Sequence, residues 1–135
     1  MKIESKTVEV AASPQAVFEY LSDLNNFENL LPEGRISDWE SRTDYCSFKV
    51  QGTATIDLQL IEAKSPNYLL LKSGDRSPFP LELNIHLTEH GAATMAFQIM
   101  NAEINPFLKM MVEKPLTNLF DYIADRLQAV FAQAQ

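Results

Sequence analysis

Apolar and polar positions recur with two different periods along this chain: close to two from Ile36 to about Ala102, and close to 3.6 from Val17 to Leu31 and again after residue 104. Residues 2 to 10 are rich in β-branched side chains and read as one strand. It stops at Ala11-Ala12-Ser13-Pro14, where Ser13 suits a helix cap and Pro14 a first turn. Val17, Phe18 and Leu21, then Leu24, Phe27, Leu30 and Leu31, hold helical spacing; Asn25-Asn26 divides them into two short helices, and Pro32 and Gly34 end the second. Six strands follow, over Ile36–Ser41, Tyr45–Gln51, Thr53–Ala63, Tyr68–Ser73, Leu81–Thr88 and Ala93–Ala102, separated by turn residues such as Thr43-Asp44, Gly52, Ser65-Pro66-Asn67, Gly74-Asp75 and His90-Gly91. Asn105 and Pro106 open a long helix to Phe131, with Leu116, Leu119, Phe120, Ile123, Leu127 and Val130 in one stripe. Pro115 inside it removes the hydrogen bond to the Met111 carbonyl and predicts a bend there. The expected class is α+β in a single domain over residues 1–135. Its order is β-α-α-β-β-β-β-β-β-α: a seven-stranded curved antiparallel sheet, two short helices and a long C-terminal helix.

The strand pattern predicts which side is buried. Ala54, Ile56, Leu58 and Leu60 alternate with Thr53, Thr55, Asp57 and Gln59, and Leu81, Leu83, Ile85 and Leu87 with Glu82, Asn84, His86 and Thr88. Cys46, Phe48 and Val50, with Leu69 and Leu71, extend the same apolar face. Such a face must be covered, and the long helix is the only amphipathic element of sufficient length. A twisted sheet of this width curls, and one helix cannot fill its whole concavity, so an apolar pocket is expected at one end. The short helices close one side, and the bent front of the long helix, with Phe107, Met110 and Met111, faces the opening. On the last strand, bulk places Met95, Phe97 and Ile99 inside, with Asn101 in their register. A tight turn at His90-Gly91 would instead send Thr94, Ala96, Gln98 and Met100 inward and make Gln98 a candidate ligand contact. Ser37 and Ser41 share the register of Trp39, and Lys114 and Asn118 lie near the helix bend.

Ala12-Ser13-Pro14 leading into Val17-Phe18 and Leu21-Ser22-Asp23, the Trp39 strand and the Asn105-Pro106 helix start carry a resemblance that spans nearly the whole chain. In these features the sequence resembles the helix-grip proteins of the START-like (SRPBCC) superfamily, which includes birch-pollen-allergen-like proteins and polyketide cyclases. The resemblance implies binding of a hydrophobic small molecule between sheet and helix. It names no catalytic residue, and a fold does not settle a function.

Composition narrows the chemistry. Apolar residues are 46% and charged residues 21%, the usage of a packed globular chain. Eleven basic against eighteen acidic residues give a net charge of -7, so no nucleic-acid partner is expected. Cys46 is the only cysteine, which leaves no internal disulfide and no cysteine-based metal cluster. His86 and His90 are four apart, but on a strand and its turn that spacing does not converge on a metal, so both read as surface histidines. The four glycines are too scattered for a phosphate-cradling loop. Asp57, Glu82 and Glu89 fall on the wet face or in turns, away from any enclosed acid-base site. No catalytic residue, metal or cofactor is assigned. No apolar run reaches the length of a membrane span, and the first residues lack the apolar stretch of a signal peptide, so a cytoplasmic location is the expectation.

The leading function is binding or transport of a lipid-like, sterol-like or aromatic molecule. Trp39, Phe48, Ile56, Leu58, Leu83, Ile85, Phe97, Phe107, Met110 and Met111 are the candidate contacts. Trp39 suits either ligand stacking or core packing, and the methionines either a promiscuous opening or filler. The alternatives are an enzyme of the cyclase or dehydratase type, which needs a proton donor inside the pocket, and a protein-interaction module resembling chaperone activators.

Overall fold

The alternating stretch forms strands because each can bury one face while the other stays wet. The computed structural model describes residues 1–51 and 54–133; Gly52 and Thr53, read above as a turn and a strand start, lie outside the described residues. The elements are β1 (Lys2–Glu4), β2 (Val8–Val10), α1 (Pro14–Leu21), two 3-10 segments (Leu24–Leu30 and Glu33–Arg35), β3 (Ile36–Arg42), β4 (Tyr45–Val50), β5 (Thr55–Lys64), β6 (Tyr68–Ser73), β7 (Leu81–His90), β8 (Ala93–Ala102) and α2 (Pro106–Gln133). The strands form one antiparallel sheet in the order β1-β8-β7-β6-β5-β4-β3, with β2 also on β8. This is the expected α+β helix-grip architecture, with eight strands where seven were expected.

The extra strand comes from a break in the first one. Ile3 pairs with Met100 and Glu9 with Met95, and between these pairs Ser5 stays on β8 through its own bonds. Its N–H donates to the Gln98 carbonyl at 2.9 Å, and its hydroxyl accepts from the Gln98 N–H at 2.9 Å. The second short helix is 3-10 rather than α. Asp23 fixes its start by accepting from the Asn25 N–H, and α1 is capped by the Ser13 hydroxyl, which accepts from the Ala16 N–H.

Two irregularities bend the sheet. On β3, Ser37 pairs with Lys49 but Glu40 with Ser47, so Asp38 and Trp39 together oppose one residue of β4. Asp38 sits in the left-handed region at φ 55. The bulge reverses the alternation: Trp39 and Ser41 turn to the inner side, whereas Ser37, expected in the same register, faces out. On β5 a register shift between Leu60 and Glu62 leaves Ile61 exposed. Asp38→Val should cost about 1 to 2 kcal/mol, because a β-branched side chain is strained at positive φ, while Asp38→Gly should be neutral or slightly stabilising. Urea unfolding of the two variants checks this.

The β7–β8 hairpin settles the register of the last strand and corrects the expectation based on bulk. Its loop is Gly91-Ala92, with Gly91 at φ 62, and His90 pairs with Ala93. Leu87 then lies opposite Ala96, Ile85 opposite Gln98 and Leu83 opposite Met100. Directly paired residues share a face, so Thr94, Ala96, Gln98 and Met100 are buried, whereas Met95, Phe97, Ile99 and Asn101 face outward. Phe97 finds shelter there: its ring stacks on His86 at 4.9 Å, and His86 in turn lies 5.3 Å from the Tyr68 ring.

Helix α2 lies against the inner face with Val112, Leu116, Leu119, Phe120, Ile123, Ala124 and Leu127 buried. It continues unbroken through Pro115. Among the described residues its long-range polar ties all come from its second half. The Lys6 N–H donates to Asp121 at 2.9 Å, Lys6 pairs with Asp125 at 2.6 Å, Arg126 donates to the Asn29 carbonyl at 3.2 Å and Gln128 to the Glu9 carbonyl at 2.9 Å. Before Pro115 only Val112 is buried, so the front of the helix is held far less firmly than the rear.

Candidate functional site

The apolar inner face of the sheet and the buried stripe of α2 meet almost without a gap. Two small voids interrupt the packing, each of about 10 Å³, about the room one water needs. The first is bounded by Phe48, Ile56, Leu58 and Leu83 from the sheet and by Leu116 and Leu119 from α2. The second is bounded by Val8, Ile85, Gln98, Ala124 and Leu127. Phe27 and Ile123 line both. The large hollow expected from sheet curvature is therefore closed, because the 3-10 segment Leu24–Leu30 and the residue that follows it drive the buried side chains of Phe27, Leu30 and Leu31 into the concavity.

An open groove lies where that interior reaches the surface. It measures about 420 Å³ and is bounded by Pro32 and Arg35, by Val50 and Gln51 at the end of β4, and by Pro115, Asn118, Leu119 and Tyr122 of α2. Leu119 borders both this groove and the first void, so it stands between the mouth of the sheet–helix seam and the interior. A smaller recess beside it adds Lys114 to Arg35 and Gln51. Among the described residues neither Arg35 nor Lys114 has a carboxylate partner, and no acidic side chain lines the groove or its recess. On a chain of net charge -7 this is a local excess of positive charge beside an apolar floor. A second open depression, of about 560 Å³, lies at the Pro80–Leu81 and Ala102–Glu103 ends; there Lys72 is matched by Glu82 at 3.3 Å, which leaves less unbalanced charge.

The residues chosen from the sequence divide into three groups. Phe48, Ile56, Leu58 and Leu83 line the first void, and Ile85 and, from the outward-facing register of β8, Phe97 border the second. Trp39 is half-buried at the sheet edge, its ring stacked 6.1 Å from Phe48, and its indole N–H donates to Ser41 Oγ, which donates to Asn25 Oδ1. This chain ties the edge strand to the 3-10 segment and uses the polar handle of the indole within the fold. Phe97 faces away from α2, and Phe107, Met110 and Met111 are 73%, 84% and 60% exposed and line none of these spaces. The three residues expected at the opening lie on the solvent side of α2, because Val112 and Leu116 take the inward positions of that segment.

Among the described residues no ionisable side chain lines either void. Cys46 is buried, and burial first, then the Asp57 charge, pushes its thiol up to about 12, so it stays protonated and unreactive. Asp57 corrects a second expectation. Its register faces outward, but residues Gly74 to Ser77 fold over it and leave it 2% exposed. It anchors that loop and lies apart from the mouth. Among the described residues no three His, Cys, Asp or Glu side chains converge as metal ligands, and no helix is long and apolar enough to cross a membrane.

The sequence could have pointed to Arg35, which follows the Pro32-Gly34 break at the start of the sheet, and it did single out Asn118 and Lys114 beside Pro115. It carried no signal that Val50, Gln51 and Tyr122 meet them.

The overall shape is shared with known proteins. A START superfamily protein from Mycobacterium smegmatis superposes with a TM-score of 0.72 at 16% identity, covering 99% of this chain and 99% of that one. The chain has the START-like helix-grip fold. A protein from Arthrobacter aurescens matches at a TM-score of 0.77 and 15% identity over 98% of this chain and 86% of that one. Norcoclaurine synthase from Thalictrum flavum matches at 0.74 and 14% over 96% and 85%. No protein-family model and no curated protein matches the sequence. At these identities the likeness extends to the START-like fold and carries no ligand or reaction with it.

Proposed function

We propose that this START-like chain binds an anionic amphipathic small molecule of fatty-acid character at the mouth of the sheet–helix seam. The observation that carries the reading is the open groove of about 420 Å³, whose floor residue Leu119 also walls the apolar interior and whose rim presents Arg35 and, in the adjoining recess, Lys114 without carboxylate partners. That volume lies within the range of small-molecule sites, roughly 300 to 1,000 Å³. The carboxylate of the ligand pairs with Arg35 at the rim, and its chain lies on Val50, Leu119 and Pro115 before entering the seam. Entry requires the front of α2 to move outward, and that segment has the least burial and none of the long-range polar ties.

Titration calorimetry with laurate tests this. Wild type should bind with saturable heat, and Arg35→Gln should weaken binding about tenfold, the scale of one exposed charge-assisted contact, without lowering the unfolding midpoint. Absence of saturable binding would end the reading, and an unchanged affinity in Arg35→Gln would end the assignment of the head group.

A cyclase-type enzyme has less support, since among the described residues Arg35, Lys114 and Tyr122 are the ionisable groups at the mouth and its recess, and the voids have none. A docking role has one specific observation in its favour. Phe107, Met110 and Met111 lie together on the exposed face at the start of α2, an arrangement that marks interaction sites.

A further inference from the structure

Gln98 is the one polar side chain lining either void. It is 6% exposed, and its side-chain N–H donates to the Phe120 carbonyl at 3.2 Å. Among the described residues its Oε1 has no partner. Exchanging the two amide atoms does not relieve this, because the Phe120 carbonyl can only accept and must face the NH₂ group. Nearby hydroxyls are directed elsewhere: Ser5 donates to the Lys6 carbonyl at 3.0 Å and Thr94 to the Ala12 carbonyl at 2.8 Å. An unpaired buried acceptor is costly, and such groups are rare in folded chains.

A trapped water would not answer it well. The void has room for about one, yet a stable buried water makes 2 to 4 hydrogen bonds, and every other side chain around this void is apolar. A donor carried on an apolar body would need only the one acceptor. The void also stands at the inner end of a row of spaces divided by apolar walls, which a ligand chain would have to part. Leu119 stands between the mouth and the first void, and Phe27 and Ile123 stand between the first void and the second.

We infer that Gln98 Oε1 is the inner recognition point for the bound molecule: the end of the ligand opposite its anionic head carries a hydroxyl or N–H that donates to Gln98. The inference rests on the mouth-binding reading and narrows it to a bifunctional ligand class, of which ω-hydroxy fatty acids are the simplest members. Gln98 acts here as a specificity residue, because a polar group desolvated for one donor discriminates against the analogue that lacks it.

The test is titration of wild type and Gln98→Leu with unbranched fatty acids of increasing length, each beside its ω-hydroxy counterpart. In wild type one chain length should show a gain of about tenfold from the hydroxyl, and in Gln98→Leu that gain should vanish while the plain acid binds at least as well. The side-chain amide resonances of Gln98 in wild type give a readout that needs no variant: they should move on adding the matching hydroxy acid and stay in place with the plain acid. Plain acids that bind with no hydroxyl gain at any length would overturn the role of Gln98 and leave the mouth site standing. A gain that survives in Gln98→Leu would do the same. Failure of both ligand series would remove the mouth site and the inference together.

Discussion

Phe27→Ala is expected to lower stability by about 3 to 5 kcal/mol, a drop of roughly 10 to 20 °C in unfolding midpoint for a chain of this size. Phe27 is 1% exposed and its side chain lines both voids, so its removal joins them into one space that is apolar apart from the Gln98 amide. Phe48, Ile56, Leu58, Leu83 and Ile85 on one side of these spaces belong to strands fixed by their ladders and relax little, so the cost contains both lost transfer energy and a cavity term. An apolar cavity of this kind, on the order of 150 Å³, stays dry and takes up small aromatics. The variant should therefore recover part of its midpoint in the presence of benzene while wild type does not respond. Equal responses in the two proteins would mean that the seam already opens to this probe, and a loss under about 1 kcal/mol would mean that the 3-10 segment collapses into the space.

Asp57→Asn should cost about 2 to 4 kcal/mol at neutral pH. The carboxylate accepts from the Ser77 hydroxyl at 2.6 Å, from the Gly74 and Ser77 N–H groups at 3.0 and 3.1 Å, and more weakly from the Arg76 N–H at 3.4 Å and the Tyr45 hydroxyl at 3.5 Å. An amide turns a donor toward one side of that ring of donors. Burial pushes the Asp57 pKa upward, but the bonds from Ser77, Gly74 and Arg76 outweigh it and hold the carboxyl below its usual value. A group whose folded pKa is lowered contributes its full stabilisation above the unfolded pKa, about 3.9, and loses it as pH falls through the folded one. The gap between wild type and Asp57→Asn should thus be constant near neutrality and shrink in acid, which denaturant unfolding across a pH series would reveal. A gap independent of pH would refute the charged anchor. Gly74 closes the same arrangement, since a Cβ there would clash with Asp57 Oδ2.

The element order was legible because each period has one physical solution: alternating stretches bury one face as strands, and the Leu116–Val130 stripe forms a helix that can cover them. Ser13-Pro14 and Asn105-Pro106 marked both helix starts, and the Asn105 side chain does accept from the Leu108 N–H at 2.8 Å. Local signals ran out where a single residue resets a register. The two-residue loop at Gly91-Ala92 sends Gln98 inward and Phe97 outward, and the bulge at Asp38 separates Trp39 from Ser37. Bulk misled at Phe97 because stacking on His86 lets an aromatic ring stay on the outer face.

The alternation of side chains thus determined by itself which faces of β4, β5 and β7 are apolar and that α2 must lie on them, since an uncovered greasy sheet is unstable in water. Only the tertiary structure decided how full the interior is, because that depends on how far Phe27, Leu30 and Leu31 reach from a distant segment into the curve of the sheet. It also decided that Arg35, Val50 and Asn118 share one mouth and that the Gln98 amide oxygen is left without a donor. Those properties belong to distances between residues far apart in the chain, which no period along the chain encodes.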